Sequence, residues 1–294
     1  MTRTCALCGV FIISFSAIFV RLAGVSPSTS AFYRMAYALP VLILLAYLSR
    51  REDTRQLKYR LMAIGSGLML SLDLCVWHWS IDLIGAGLAT VIANIQVVFV
   101  GLISWRVLGE KPTRMALMII PVVFLGAAIS SGLGGGDAYG SDPILGTSLS
   151  FLTAILYAGF LVLFRASNRD GVNPAGPLRD VTLGAVAGTM FIGLLDPGFS
   201  FIPVWPAHGW LLALALLPHT VGWLLISRAL PRLPGLETSV LLLMQPVLTV
   251  IWGLLIFAES LSPVQWAGVI IVLGGIGFLS VSGGVVRPVE IPSE

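Results

Sequence analysis

The chain has 294 residues, of which 57% are apolar and 11% charged, with a formal net charge of +3. A soluble domain carries about 25% charged residues, so this composition excludes a sizeable soluble domain and fits a chain that lives in lipid. The basic excess lies in short gaps between apolar stretches, which cannot build a folded nucleic-acid surface and are suited instead to anionic lipid headgroups.

Apolar runs of roughly 17–24 residues recur about ten times, each long enough to cross a hydrocarbon core about 30 Å thick. They predict an all-α integral membrane protein with helices over Ala6–Gly24, Ser28–Leu48, Arg60–Asp82, Gly85–Leu108, Arg114–Ser131, Gly146–Ala166, Leu178–Leu195, Ala207–Ala229, Pro234–Phe257 and Pro263–Ser282. Met1–Arg3 before an apolar run imitates a signal peptide, but the spans that follow make it a retained first helix. Cys5, Cys8 and Cys75 are too few and too apolar in setting for a disulfide framework, and Cys5-x-x-Cys8 has no His nearby to complete a metal site. No cofactor is implied.

The charges between the helices alternate. Arg50, Arg51, Arg55, Lys58 and Arg60 crowd the gap after the second helix, Arg106, Lys111 and Arg114 the fourth, Arg165, Arg169 and Arg179 the sixth, and Arg228 and Arg232 the eighth. The gaps after the third, fifth, seventh and ninth hold no Lys or Arg, only Asp82, Asp137, Asp142, Asp196 and Glu259. By the positive-inside rule both termini are cytoplasmic.

Residues 132–145, with Gly134-Gly135-Gly136 and two Asp, form the longest gap and divide the chain into a first repeat, 1–131, and a second, 146–294. A shift of 149 positions lays Gln96 on Gln245, Glu110 on Glu259 and Gly126 on Gly275. An odd number of helices per half inverts the second copy, which is the architecture of alternating access.

Ten helices, an inverted five-plus-five repeat and Gly109-Glu110 closing the fourth helix together resemble the drug/metabolite transporter superfamily, and within it the ten-helix EamA-type exporters. Arg34, in Phe32-Tyr33-Arg34-Met35-Ala36, matches an Arg that such proteins often carry early in the second helix. Gln245-Pro246-Val247 and Glu259 match the Pro-Val and terminal Glu of the ninth; the first half has Val97 in place of that Pro, so its fourth helix is expected to be straighter. The resemblance implies transport of amino acids or other small metabolites and leaves direction open.

Ionisable groups at depth cost about 2.5–3.5 kcal/mol each on insertion scales, so each needs a reason. Arg34 lies about 10 Å and Asp73 about 13 Å from the outer helix ends, counting about 1.5 Å per residue. Opposite charges at like depth predict either a structural pair or, at Asp73, a proton-coupling site. Trp77 shares a helix face with Asp73, whereas His78 turns away and Trp79 fits an interfacial belt. His219, beside Pro218, and Trp223 repeat the same spacing on the eighth helix. Gln96, with Asn94 near it, and Gln245 fall near the midplane, where carriers of this architecture bind substrate. Tyr33, Tyr37, Tyr157 and Trp252 are further candidate aromatic walls.

The resulting expectation is a secondary transporter of the bacterial inner membrane, exporting a small amphiphile such as an amino acid. Its cavity is expected to be lined by Trp77, His78, Gln96, His219, Trp223 and Gln245, with Arg34 and Asp73 gating or coupling. Substrate and lipid are the expected partners, and no nucleic acid. Protons and a second copy stay open, since small-residue stripes such as Gly85, Ala89 and Ala93 serve internal packing as readily as dimerisation. Two rivals also stay open: proton-coupled efflux of drugs or cations, and a membrane-embedded enzyme acting on a lipid-linked substrate. The enzyme's only candidate groups are His78, Asp82 and His208.

Overall fold

The structure is a computed structural model and describes residues 2–108, 113–130, 138–167, 173–202, 204–229 and 235–281. Among these residues the chain is helical, with no strand: α1 (Thr2–Ser14), α2 (Ser16–Ala23), α3 (Pro27–Leu48), α4 (Leu57–Ala93), α5 (Gln96–Leu108), α6 (Arg114–Ser130), α7 (Pro143–Ser167) and α8 (Ala175–Leu195). There follow α9 (Ala207–Leu214), a π-helical segment (Ala215–Gly222), α10 (Trp223–Ala229), α11 (Gly235–Phe257) and α12 (Pro263–Val281). Glu110, half of the proposed Glu110–Glu259 correspondence, lies outside the described residues, as do Lys111, Asp137, Arg169 and Arg232.

Among the described residues six stretches are long and apolar enough to cross a membrane: Thr2–Ala23, Pro27–Leu48, Leu57–Ala93, Pro143–Ser167, Ala175–Leu195 and Ala207–Ala229. Arg114–Ser130, Leu241–Phe257 and Pro263–Leu279 are shorter apolar helices. Their outer faces are apolar: Leu44, Leu61, Leu125, Phe191 and Leu255 are each more than half exposed. In water such a surface would be a liability; against acyl chains it costs nothing.

Several helices are interrupted, and three of the interruptions have a local cause. At 37 residues α4 is longer than a bilayer core requires, and Gly85, at φ 83°, turns it sharply in a conformation that favours glycine. Between α4 and α5 the backbone tightens into i→i−3 hydrogen bonds, Ile95 N–H to Ile92 and Val98 N–H to Ile95, while the Asn94 amide donates to the Thr90 carbonyl at 2.8 Å. An Asn side chain that competes for its own helix's carbonyls breaks a helix without proline. The expectation of a straighter helix at Val97 is therefore overturned, and α11 instead runs unbroken through Pro246. In the π-helical segment Pro218 lacks an N–H, and the Thr220 hydroxyl reaches back to Ala215 at 2.8 Å.

α4 is the central element and packs most extensively on α7 and α8. Glycine sets that second crossing: a Cβ on Gly67 would lie 2.0 Å from the Val181 carbonyl, and one on Gly184 would lie 2.0 Å from that of Ile64. Small residues that let backbones meet are the usual basis of helix association in lipid.

The α3–α8 pair is tied at both ends. At one, Ser28 donates to Asp196 at 2.5 Å and the Ser200 N–H donates to Thr29 at 3.0 Å. At the other, the buried Arg55 guanidinium bridges Asp53 at 2.9 Å and Asp180 at 2.8 Å. Burial pushes Asp53 upward, but the hydrogen bonds and charge of Arg55 outweigh it and hold the carboxyl below its ordinary range. Burial likewise disfavours the Arg55 cation, and its two carboxylates more than restore it.

Candidate functional site: a charged cavity between interrupted helices

A cavity of 430 Å³ opens where the interruptions meet. That volume falls in the range of small-molecule sites, which run from about 300 to 1,000 Å³. Ser16 enters from the start of α2, Gln96 from the start of α5, His219 from the π-helical segment and Trp223 from the start of α10. Arg34 projects from α3, Asp73 and Trp77 from successive turns of α4, and Gln245 from α11. Tyr157 and Phe160 of α7 add aromatic wall.

Nine of the polar and aromatic residues singled out from the sequence, Arg34, Asp73, Trp77, Asn94, Gln96, Tyr157, His219, Trp223 and Gln245, thus share one cavity. His78 does not line it. Its Nδ1 faces the Ser30 hydroxyl at 2.5 Å, which ties α4 to α3, as the helical rotation between neighbouring residues requires. Tyr33 and Tyr37 also lie elsewhere, donating to the Phe201 carbonyl at 3.0 Å and meeting His208 Nδ1 at 2.7 Å. Trp252 donates to Ser14 Oγ at 2.9 Å, and the Thr249 hydroxyl takes the Ser14 carbonyl at 3.0 Å, which braces the break between α1 and α2. Trp79 is exposed, as a belt residue should be.

Arg34 and Asp73 do not form the direct pair that their equal depths suggested: among the described residues no ion pair within 4.0 Å joins them. Both are buried, at 6% and 3% exposure. The guanidinium sits 5.8 Å from the centre of the Trp77 ring. Arg34 Nε and Nη1, Asp73 Oδ1, Trp77 Nε1, Gln96 Oε1, Ser16 Oγ and Thr153 Oγ1 are buried without hydrogen-bond partners. Buried polar atoms are nearly always satisfied in folded proteins, so a cluster of unsatisfied ones around one cavity marks a place for a polar ligand.

His219 is oriented by its neighbour. The Thr182 hydroxyl donates to the Leu178 carbonyl at 2.7 Å, so its oxygen is left to accept from His219 Nε2–H at 3.0 Å. In the neutral ring Nδ1 is then an acceptor.

Beyond one end of the cavity lies a second polar construction. The Glu259 carboxylate, 2% exposed, accepts N–H groups from Ala86 at 2.7 Å and Gly87 at 3.1 Å, where α4 restarts after its kink. Arg21 pairs with the same carboxylate, donates to the Tyr139 hydroxyl at 3.0 Å and lies 4.3 Å from the centre of the Phe257 ring. Gly85, Gly87 and Gly253 make the room, since a Cβ on any of them would come within 3.1 Å of the carboxylate. An anion against free N–H groups at a helix start is stabilised by them and by the helix dipole.

Sequence reasoning did not find Ser16, Thr90 and Thr153 in the cavity wall. Hydroxyls in apolar helices usually bond their own backbone, as Thr90 does to Ala86 at 2.8 Å, so they give no sequence signal.

The sequence pattern of the EamA-like transporter family matches residues 3–132 and matches again over 144–281. An uncharacterised transporter of Synechocystis is 24% identical over 268 residues, covering 84% of this chain and 77% of its own length. A solved crystal structure of a protein superposes with a TM-score of 0.64 at 16% identity, covering 94% of each chain, a likeness of fold alone. The chain is a multi-pass membrane protein and belongs to the EamA-like transporter family of the drug/metabolite transporter superfamily.

Proposed function

We propose that this chain is a secondary transporter that exports a small amphiphilic metabolite, an amino acid or a compound like it, across the bacterial inner membrane by alternating access. The observation that carries this reading is the cavity itself. It is enclosed by the ends of interrupted helices, buried between elements of both halves of the chain, and ringed by unsatisfied polar atoms.

The architecture required is ten spans in two inverted sets of five, with both termini cytoplasmic. Its support is the double family match and a reciprocity of contacts. Under the shift of 149 positions Gly126 corresponds to Gly275 and Val123 to Val272. A Cβ on Gly126 would meet Val272 at 3.1 Å, and one on Gly275 would meet Val123 at 2.6 Å. Each contact is the image of the other, as a two-fold relation between repeats demands. The packing of α4 on α7 likewise has its image in the packing of the Ala207–Ala229 stretch on α1 and α2. In this arrangement the Arg21–Glu259 construction closes the extracytoplasmic side.

Proton-coupled efflux of a cation is the second reading, favoured by Asp73 in the cavity wall. Arg34 on the same wall opposes it, because a lone cation would meet its own sign of charge. The groups that a membrane enzyme would use are engaged apart: His78 with Ser30 and His208 with Tyr37, while Asp82 is exposed.

The test is transport by His219→Ala and Gln245→Ala in sealed vesicles. Each variant should insert normally and transport at least about tenfold more slowly, as expected when a polar substrate contact worth about 1.4 kcal/mol or more is lost. Wild-type rates in both would remove the cavity from the path.

A further inference from the structure

Among the described residues that wall the cavity, Arg34 supplies the one guanidinium and Asp73 the one carboxyl group, side chains of opposite sign. Both are more than nine-tenths buried. A guanidinium and a carboxylate in one poorly solvated space attract strongly, and the contact they ordinarily adopt is a direct, often bidentate pair. Here they keep apart, and each keeps polar atoms without a partner.

The remaining polar groups are of two kinds. Trp77 Nε1–H is an unused donor on the residue whose ring faces the Arg34 guanidinium. Gln96 Oε1 and the His219 Nδ1 lone pair are acceptors.

We propose, building on the transport reading, that Arg34 and Asp73 are the two poles of a zwitterion subsite. Arg34 takes the carboxylate of the ligand with help from Trp77, and Asp73 takes its ammonium group. The apolar body of the ligand lies against Tyr157, Phe160 and Trp223. The pair then selects for ligands that are neutral overall yet carry both charges. A simple cation satisfies Asp73 but is repelled by Arg34, and a simple anion meets the reverse, so each wrong class is rejected by a repulsive element as well as by a missing attractive one.

The experiment uses the purified full-length protein in detergent and compares three forms of one molecule: L-phenylalanine, its methyl ester (a cation) and N-acetyl-L-phenylalanine (an anion), with the corresponding L-leucine set in parallel. The wild type should bind the zwitterion at least about tenfold more tightly than either derivative in at least one set. Asp73→Asn should lose the preference for the zwitterion over the N-acetyl form, and Arg34→Gln the preference over the ester. Arg34→Lys and Asp73→Glu, which keep the charges, should retain both preferences and stand in if the neutral variants fail to fold.

Equal binding of zwitterion and ester by the wild type overturns the proposal, as does binding of none of the six compounds. Preferences unchanged in both neutral variants overturn it too. Transport of some other metabolite by the same preparation would leave the transport reading intact while the subsite fell.

Discussion

Arg21 and Glu259, 238 positions apart in the chain, form an ion pair that joins the end of α2 to the segment after α11 and, through the same carboxylate, to the restart of α4 at Ala86 and Gly87. Three helices that wall the cavity are thereby fastened at one end. Ala258, at φ 51°, holds a left-handed conformation that costs a non-glycine residue about 1–2 kcal/mol and that aims Glu259 into the glycine cradle. A strained residue that delivers a buried carboxylate to three partners is what a releasable latch requires.

Glu259→Ala should open that end. Charge-assisted hydrogen bonds are worth about 1.5–3 kcal/mol each, so losing one alone shifts an open–closed equilibrium by about tenfold or more. In a background without native cysteines, a cysteine at Thr90 should react about tenfold faster with an impermeant thiol reagent applied from the Glu259 side. An unchanged rate would show that the construction is static.

At the opposite end, Arg55→Ala removes the guanidinium that bridges Asp53 and the buried Asp180 and leaves Asp180 with the partly exposed Arg179 alone, a loss of about 1.5–3 kcal/mol for the charge-assisted hydrogen bond. Thermal unfolding in detergent should fall by several degrees, and more than for Arg60→Ala, whose partly exposed side chain meets the Asp53 carboxylate at 3.6 Å and donates to that residue's backbone carbonyl at 3.4 Å. Equal losses would mean that the bridge to α8 carries no special weight.

The pH dependence of that tie has a definite sign. Asp53 has a folded pKa below its ordinary value, so its contribution is fully present above about pH 4 and is lost as pH falls through the lower folded value. Asp53→Asn should therefore lower the unfolding temperature at pH 7, with the difference from wild type shrinking as the pH is taken below about 4. A difference that persists unchanged at low pH would assign the effect to packing.

Gly67→Ala should destabilise by about 1–3 kcal/mol, because its Cβ would lie 2.0 Å from the Val181 carbonyl and backbone cannot yield as a side chain can. Gly65→Ala, one helix position beyond the neighbour of Gly67, meets nothing within 4 Å and should be neutral or stabilising by up to about 1 kcal/mol. Unfolding of the two variants side by side separates close packing from helix propensity.

The helix positions were legible because an apolar span in lipid leaves little choice of structure: α3 begins at Pro27 where Ser28 was expected, and α8 ends at Leu195 as expected. The cavity residues were legible where helical spacing and depth put ionisable or amide groups on one face, as with Asp73 and Trp77. Bends were less so. Proline drew attention to Pro246, which α11 absorbs, while the break fell at Asn94, whose side chain competes with its own backbone. Gly85 was legible only as a small residue; its left-handed turn and the cradle it helps form for Glu259 depend on a partner 174 positions away, taking 259 minus 85, and no local pattern encodes that.

Counterflow in proteoliposomes tests the central claim most directly. Vesicles containing the purified protein are preloaded with pooled metabolites, amino acids foremost, and offered trace labelled counterparts with and without a pH gradient. The account predicts exchange of a small amphiphilic metabolite that His219→Ala and Gln245→Ala abolish, and that continues without the gradient. Flux of no compound in the pool, or exchange untouched by both substitutions, would contradict it.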